Sequence, residues 1–400
     1  MISYLLSRDN RTLIKALLYF LGIFLGTRYS STVNWLIVLG VPLLFWGKNI
    51  NRWHRLDSDI KKMLTYYLIF ACLIVVTAVF SPYSIQYPLT RFVTIVTIAL
   101  TISLIFSGIQ QNSTMIKIFD GIVIAVIILS IYLFANYFNG YVLILDLDEQ
   151  NWGNRNTAGN FFLLGFFASV LRAFQSKNNR YFWIISTYLL ICVWLSTSMK
   201  CMVTSLAVYL YCVFKLRKSM TVFGKVVLIC AIVAVVSFVA KNLQNILDSS
   251  PDAQMAVDRL YILFGYDSYA THQYGFIEGR EQLMRQTIAL FYENPFFGVG
   301  LENSRWIYGT YSHNTYVEIL AGGGIVLIIP FLLFLYTSVR PLLFKKNYVL
   351  LLIWLCIIYI SNANRIYDAI NHIFILFSLV YVHKMDIEAE GRRLADTVVS

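Results

Sequence analysis

Long runs of uncharged apolar residues constrain this chain more than any other feature. Stretches such as IALTISLIF, GIVIAVIILSIYLF and VVLICAIVAVVSFVA recur along its 400 residues. A bilayer span needs about 20 mostly apolar residues. Only helices and closed barrels satisfy the backbone inside lipid, and runs of this length favour helices. Only 13% of the residues are charged and 58% are hydrophobic, whereas soluble domains carry roughly 25% charged residues. The expected fold class is therefore all-α, a polytopic transmembrane helical bundle. Intrinsic disorder, a disulfide-stapled scaffold and a nucleic-acid-binding domain are disfavoured.

Apolar blocks set against polar breaks give about 12 spans. They fall near 12–29, 31–47, 63–80, 89–107, 116–138, 157–174, 181–197, 199–215, 222–240, 316–339, 347–363 and 366–383. The expected divisions are a nine-span bundle over 1–240, a long loop with short helices over 241–315, and three spans with a tail over 316–400. The net charge of +11 fits topology before it fits a polyanionic partner, because Lys and Arg collect on the cytoplasmic side. With a cytoplasmic N-terminus and strict alternation, Arg28, Arg91, Arg155, Lys200, Lys241, Arg259, Arg280, Arg285, Arg305 and Arg365 lie outside. The other 22 of the 32 basic residues lie inside, and both termini are cytoplasmic. No cleavable signal pattern opens the chain, so the first span is expected to stay as an anchor.

The six cysteines lie in or beside apolar runs and form no CxxC pair, so they read as reduced packing residues. HExxH and GxSxG are absent from the sequence, and the sequence is read as offering no support for a metal site, a cofactor or serine-hydrolase chemistry. Arg28 and Arg91 read as interfacial residues whose stems snorkel.

Two outside segments carry patterned sequence. In EGREQLMRQTIALFYENPFFGVG the residues from Arg280 to about Asn294 read as a helix, with Leu283, Met284, Ile288 and Phe291 on one face. Pro295 ends it, and Gly298 and Gly300 supply a tight turn. Arg280 falls in the first turn, on the face of Met284, Thr287 and Phe291. Arg285 is rotated about 140° away and meets solvent or lipid headgroups. In SHNTYVEILAGGGIVLIIP, Thr315 and Glu318 have capping-box spacing, which sets His313 and Asn314 at a helix N-terminus. That end favours neutral imidazole and offers N–H groups to an anion. Gly322, Gly323 and Gly324 read as a site of close helix packing.

The combination GR…ENPFFGVG…SHNTYVEILAGGGI, residues 279–325, resembles the C-terminal module of the bacterial O-antigen ligase and Wzy-type polysaccharide polymerase superfamily. The resemblance implies a metal-independent membrane glycosyltransferase of the bacterial inner membrane, acting at the periplasmic face on an undecaprenyl-diphosphate-linked glycan. It implies His313 as the base that deprotonates the acceptor hydroxyl, and Arg280 as a group that binds the diphosphate. The family's mid-chain Ser-x-Ser-Arg stretch reads Ser196-Thr197-Ser198-Met199 here, followed by Lys200. Lys200 or Arg155 is thus the expected second cation, with Asn314 and Arg285 as further substrate-binding candidates. Membrane lipid and a chain-length regulator are the other expected partners; nucleic acid is not. A polymerase is the preferred reading. A ligase transferring the glycan to lipid A-core is the alternative, and a lipid or solute transporter is the alternative of a different class. The transporter reading has little support, since Asp120 and Asp368, the acidic residues beside spans, lie near span ends rather than at midplane.

Overall fold

The computed structural model describes residues 11–29, 36–56, 58–107, 112–138, 155–175, 179–196, 198–216, 276–312, 314–344 and 348–361. Its regular elements over these residues are helical. In chain order they are α1 (Arg11–Tyr29), a π-helical turn (Leu36–Gly40), α2 (Val41–Trp46), a 3-10 segment (Gly47–Arg55), α3 (Ser58–Val79), α4 (Gln86–Ser107), α5 (Asn112–Phe138), α6 (Arg155–Gln175), α7 (Asn179–Leu195) and α8 (Met199–Leu216). After residue 275 come α9 (Phe276–Glu293), the short α10 (Ser304–Tyr308), α11 (Thr315–Phe344) and α12 (Tyr348–Ser361). The all-α expectation holds for these residues.

By length and composition α3, α4 and α11 can each cross a bilayer, and α6, α7 and α12 contain shorter apolar stretches. The expected span 31–47 differs from the structure. Over its described part the chain runs through a π-helical turn, then α2 with Pro42 in its first turn, then 3-10 geometry. Proline lacks the N–H that a continuous helix would need there. Spans 222–240 and 366–383, the loop 139–154 and residues 217–275 lie outside the described residues.

Neighbouring helices pack through small residues and aromatic rings. An added Cβ on Gly121 would lie 2.8 Å from Ala16 Cβ, and one on Gly165 would lie 2.7 Å from Val126 Cβ, so α1–α5 and α5–α6 approach closely. Between α3 and α11, Tyr67 faces Phe334 with ring centroids 4.8 Å apart, and Phe70 faces Phe331 at 5.3 Å. These buried rings join two of the helices that are long and apolar enough to cross a bilayer. Polar side chains close the ends. At one end Arg172 Nε donates to Asp120 Oδ1 at 2.6 Å, and its guanidinium covers the Phe182 ring. Asn49 at that end donates to the Leu104 carbonyl at 3.1 Å.

The opposite end is organised by an interruption in α11. Gly324 has φ +58 and ψ −154, non-helical values inside an apolar helix. The turn following α9 is docked against this break. Val299 N–H donates to the Ala321 carbonyl at 2.9 Å, and Gly300 N–H donates to the Gly322 carbonyl at 2.7 Å. In return Ile325 N–H donates to the Pro295 carbonyl at 2.9 Å, and Val326 N–H donates to that of Phe296 at 3.2 Å. Two carbonyls before the break and two N–H groups after it thus find partners in the turn, as irregular backbone in an apolar setting requires. The glycine run is therefore not the helix–helix contact expected from sequence; it is a helix break paired to a turn. A Cβ on Gly324 would meet the Phe296 and Pro295 carbonyl oxygens at 2.4 Å, whereas Gly309, also at positive φ, has open space around it.

Gly309→Ala is accordingly expected to cost only the backbone term, about 1–2 kcal/mol. Gly324→Ala adds a backbone clash and should lower the apparent melting temperature of the detergent-solubilised protein much further. Equal shifts in the two variants would contradict the docked turn.

Candidate functional site

The turn after α9 brings a charged cluster to the docked end. Asn303 Nδ2 donates to the Val299 carbonyl at 2.8 Å, and Ser81 Oγ, from the end of α3, donates to the same carbonyl. Glu302 follows in a left-handed conformation, φ +64, the one such non-glycine among the described residues. A residue so held costs of order 1–3 kcal/mol and persists where its surroundings over-determine it. Here the surroundings are two arginines. Arg91 Nη2, from the first turns of α4, donates to Glu302 Oε2 at 3.0 Å, and its Nε lies 3.0 Å from Oε1. Arg305 Nη1 lies 3.8 Å from Oε2, and its guanidinium covers the rings of Tyr87 and Tyr311. The Glu302 side chain is 0% exposed, so its charge must be met by these groups.

A second buried carboxylate lies one helix away. Glu318, in the first turn of α11, accepts the Ser304 hydroxyl at 2.8 and 2.6 Å from its two oxygens. It also accepts the Ser312 N–H at 2.5 Å. Asn314 Oδ1 accepts the N–H groups of Tyr316 at 3.1 Å and Val317 at 3.2 Å. That is side-chain N-capping geometry. The expected capping box is therefore corrected: Asn314 takes the cap, and Glu318 reaches across to α10 and the chain at Ser312.

The helix expected from Arg280 begins earlier, at Phe276, so Arg280 stands in its second turn. The buried stripe of α9 runs through Thr287 and Leu290. Met284 Sδ lies 3.7 Å from Asn314 Nδ2, and Tyr308 OH donates to the Gln286 carbonyl at 3.2 Å. Burial, followed by the nearby Glu293 carboxylate, pushes the Tyr308 phenol up from its ordinary value, which keeps it a donor. Arg285 is exposed. The backbone of Arg280 is helical and four residues from Met284, hence on the face that meets Asn314; its side chain lies outside the described residues, and so does His313.

The other two expected cations open helices that touch. Arg155 is the first residue of α6, with its side chain outside the described residues, and Lys200 is the second residue of α8, half-buried. The two helix starts meet where Cys201 Sγ donates to Asn160 Oδ1 at 3.4 Å. Gly159 makes the approach feasible, since a Cβ there would lie 2.8 Å from both Ser196 Oγ and Ser198 Cβ. Antiparallel pairing, seen in Arg172–Asp120 and in Ser169–Ser186 at 2.8 Å, puts these starts at the end that also carries Ser81 and Arg91. Asn314 is thus joined to the Met284 face of α9, and the start of α8, which bears Lys200, to the start of α6.

Sequence reasoning missed Glu302, Ser304 and the partnership of Arg91. Arg91 reads as a snorkelling cation, yet its head pairs with a buried carboxylate 211 residues away. A local signal existed: an acidic residue next to two tight-turn glycines, in a segment otherwise apolar enough to bury.

Residues 181–332 match the O-antigen ligase family model. This match supports the O-antigen ligase and polymerase superfamily that the motif resemblance implies, and it spans α7, α8, α9, α10 and the first half of α11. No curated protein matches the chain.

Because removing one member of a buried pair strands the other, Arg91→Ala is expected to destabilise the protein by about 3–5 kcal/mol. Arg91→Met combined with Glu302→Gln should recover part of that loss. Thermal denaturation of the three purified proteins decides it; a double variant less stable than Arg91→Ala would contradict the pairing.

Proposed function

Starting from residues 181–332 as an O-antigen ligase-type module, we propose that this chain is a membrane glycosyltransferase that polymerises undecaprenyl-diphosphate-linked oligosaccharide repeats. The observation that carries the proposal is the meeting of α9 with the N-terminus of α11 through Met284 and Asn314. It sets the helix bearing Arg280 beside the chain that continues into position 313.

In this reading the bundle end with Ser81, Arg91 and Asn314 faces the periplasm, and the basic end with Lys48, Arg52, Arg55, Lys61 and Lys62 faces the cytoplasm. A neutral His313 takes the proton of an acceptor hydroxyl. The oxygen attacks the anomeric carbon of the donor sugar. The bond from that carbon to the diphosphate oxygen breaks, with inversion, and undecaprenyl diphosphate leaves. Its growing negative charge is met by Arg280 and by a second cation, Lys200 or Arg155. A diphosphate stabilised in this way leaves without a general acid. Arg285, exposed on the opposite side of α9, meets lipid headgroups or the donor's outer sugars, and Asn314 shapes the acceptor side. Arg91 and Arg305 are placed outside the reaction, because their charges meet Glu302.

His313→Ala should lower polymer formation by about 100- to 10,000-fold, and Arg280→Ala should abolish visible polymer, both at wild-type protein levels. The check is the glycan ladder of a deletion strain complemented with each variant; wild-type chain lengths from either would reject the assignment. Lys200→Ala and Arg155→Ala test the second cation, and full activity in both would remove it from these helices. The deletion strain itself separates the two acceptors. Single repeats on lipid A-core indicate a polymerase; glycan stranded on undecaprenyl diphosphate indicates the ligase.

A further inference from the structure

Glu318 is a carboxylate 2% exposed in the first turn of an apolar helix, a location where an acid is costly unless something requires it. Its bonds do not serve its own helix. One oxygen accepts the N–H of Ser312, and both lie within reach of the Ser304 hydroxyl. Ser312 is held a second time, through its own hydroxyl: Asn314 N–H donates to Ser312 Oγ at 3.3 Å, and Ser312 Oγ–H donates to the Asn314 carbonyl at 3.2 Å. Asn314 in turn is fixed by its cap bonds to Tyr316 and Val317. Both neighbours of position 313 are therefore tied to α11, one by the Asn314 cap and the other by Glu318. A cap needs only Asn314. The additional tie from Glu318 fixes the entry of the chain into position 313.

We infer that Glu318 is a positioning residue for the transfer reaction, holding Ser312 through its backbone N–H and thereby fixing where the residue at 313 is presented. The inference rests on the proposed role of His313 as base. Acceptance of an N–H and a hydroxyl requires oxygen atoms in place rather than a negative charge. Glutamine keeps the accepting oxygen, and its amide N–H can donate to Ser304 Oγ. Alanine removes both bonds. Aspartate keeps the charge but is one carbon too short to reach both partners from the same backbone position.

The test uses the full-length protein reconstituted with membranes from a strain lacking both this protein and the ligase, where undecaprenyl-diphosphate-linked repeats accumulate and serve as the probe. Turnover is measured per folded molecule, with folded amount taken from size-exclusion chromatography and melting temperature. Glu318→Gln is expected within about 3-fold of wild type, and Glu318→Asp and Glu318→Ala about 100-fold lower, the scale of a misplaced catalytic group. A purely structural role would lower folded yield and leave turnover per folded molecule equal in all three, which overturns the inference. Loss in Glu318→Gln equal to that in Glu318→Asp overturns it as well. If Glu318→Ala fails to fold, the contrast between the glutamine and aspartate variants decides alone. His313→Ala run alongside separates the two levels. An active His313→Ala rejects the base, whereas an inactive one beside a fully active Glu318→Asp rejects only the positioning.

Discussion

The reciprocal backbone pairing between the turn at 295–300 and the interruption of α11 holds the rest of this end of the molecule together. An apolar helix cannot be broken cheaply, because the freed N–H and C=O groups find no water in a hydrocarbon setting. Here the turn supplies the missing partners on both sides of Gly324. Docking the turn fixes the direction in which α10 leaves and the point from which the chain returns to start α11. It also draws in α3 and α4, through Ser81 and Arg91. One local break thus ties together elements more than two hundred residues apart in sequence.

Charge is distributed at this end in two separate ways. Glu302 and its two arginines form a nearly closed group, with one cation in excess, whose guanidiniums are engaged by carboxylate and by aromatic rings. Glu318 binds no cation in its described contacts and accepts a hydroxyl and a backbone N–H instead. Buried charge pairs stabilise little relative to apolar packing, but they are severe when broken. That asymmetry suits a scaffold whose geometry must not drift. The cations proposed for the leaving group stand on other helix starts, those of α6, α8 and α9.

Much of the helical layout was legible because apolar length is a strong signal: α3, α4 and α11 follow directly from uncharged runs bounded by polar residues. The Pro42 region differs because an apolar run carries no record of the π-helical turn and the 3-10 segment that flank α2. The glycine run was misread for a related reason. Three glycines in an apolar segment are compatible with close packing or with a break, and only the partner turn decides between them. At the site, the motif marked α9, Asn314 and the turn. It could not reveal that Arg91 reaches Glu302 or that Glu318 abandons the capping box for Ser304 and Ser312. Those contacts depend on α3, α4 and α10 arriving together, which no local spacing encodes.

The sidedness of the docked end is the point on which the enzymatic reading stands. It is measured most directly by membrane-impermeant maleimide labelling of intact spheroplasts, in a background with the native cysteines replaced. Thr310→Cys, exposed beside the docked turn, and Arg55→Cys, exposed at the opposite end, form the comparison. Labelling at position 310 in intact cells, with position 55 reached only after lysis, is the predicted result. The reverse pattern would put the candidate site in the cytoplasm and contradict the proposed transfer at the periplasmic face.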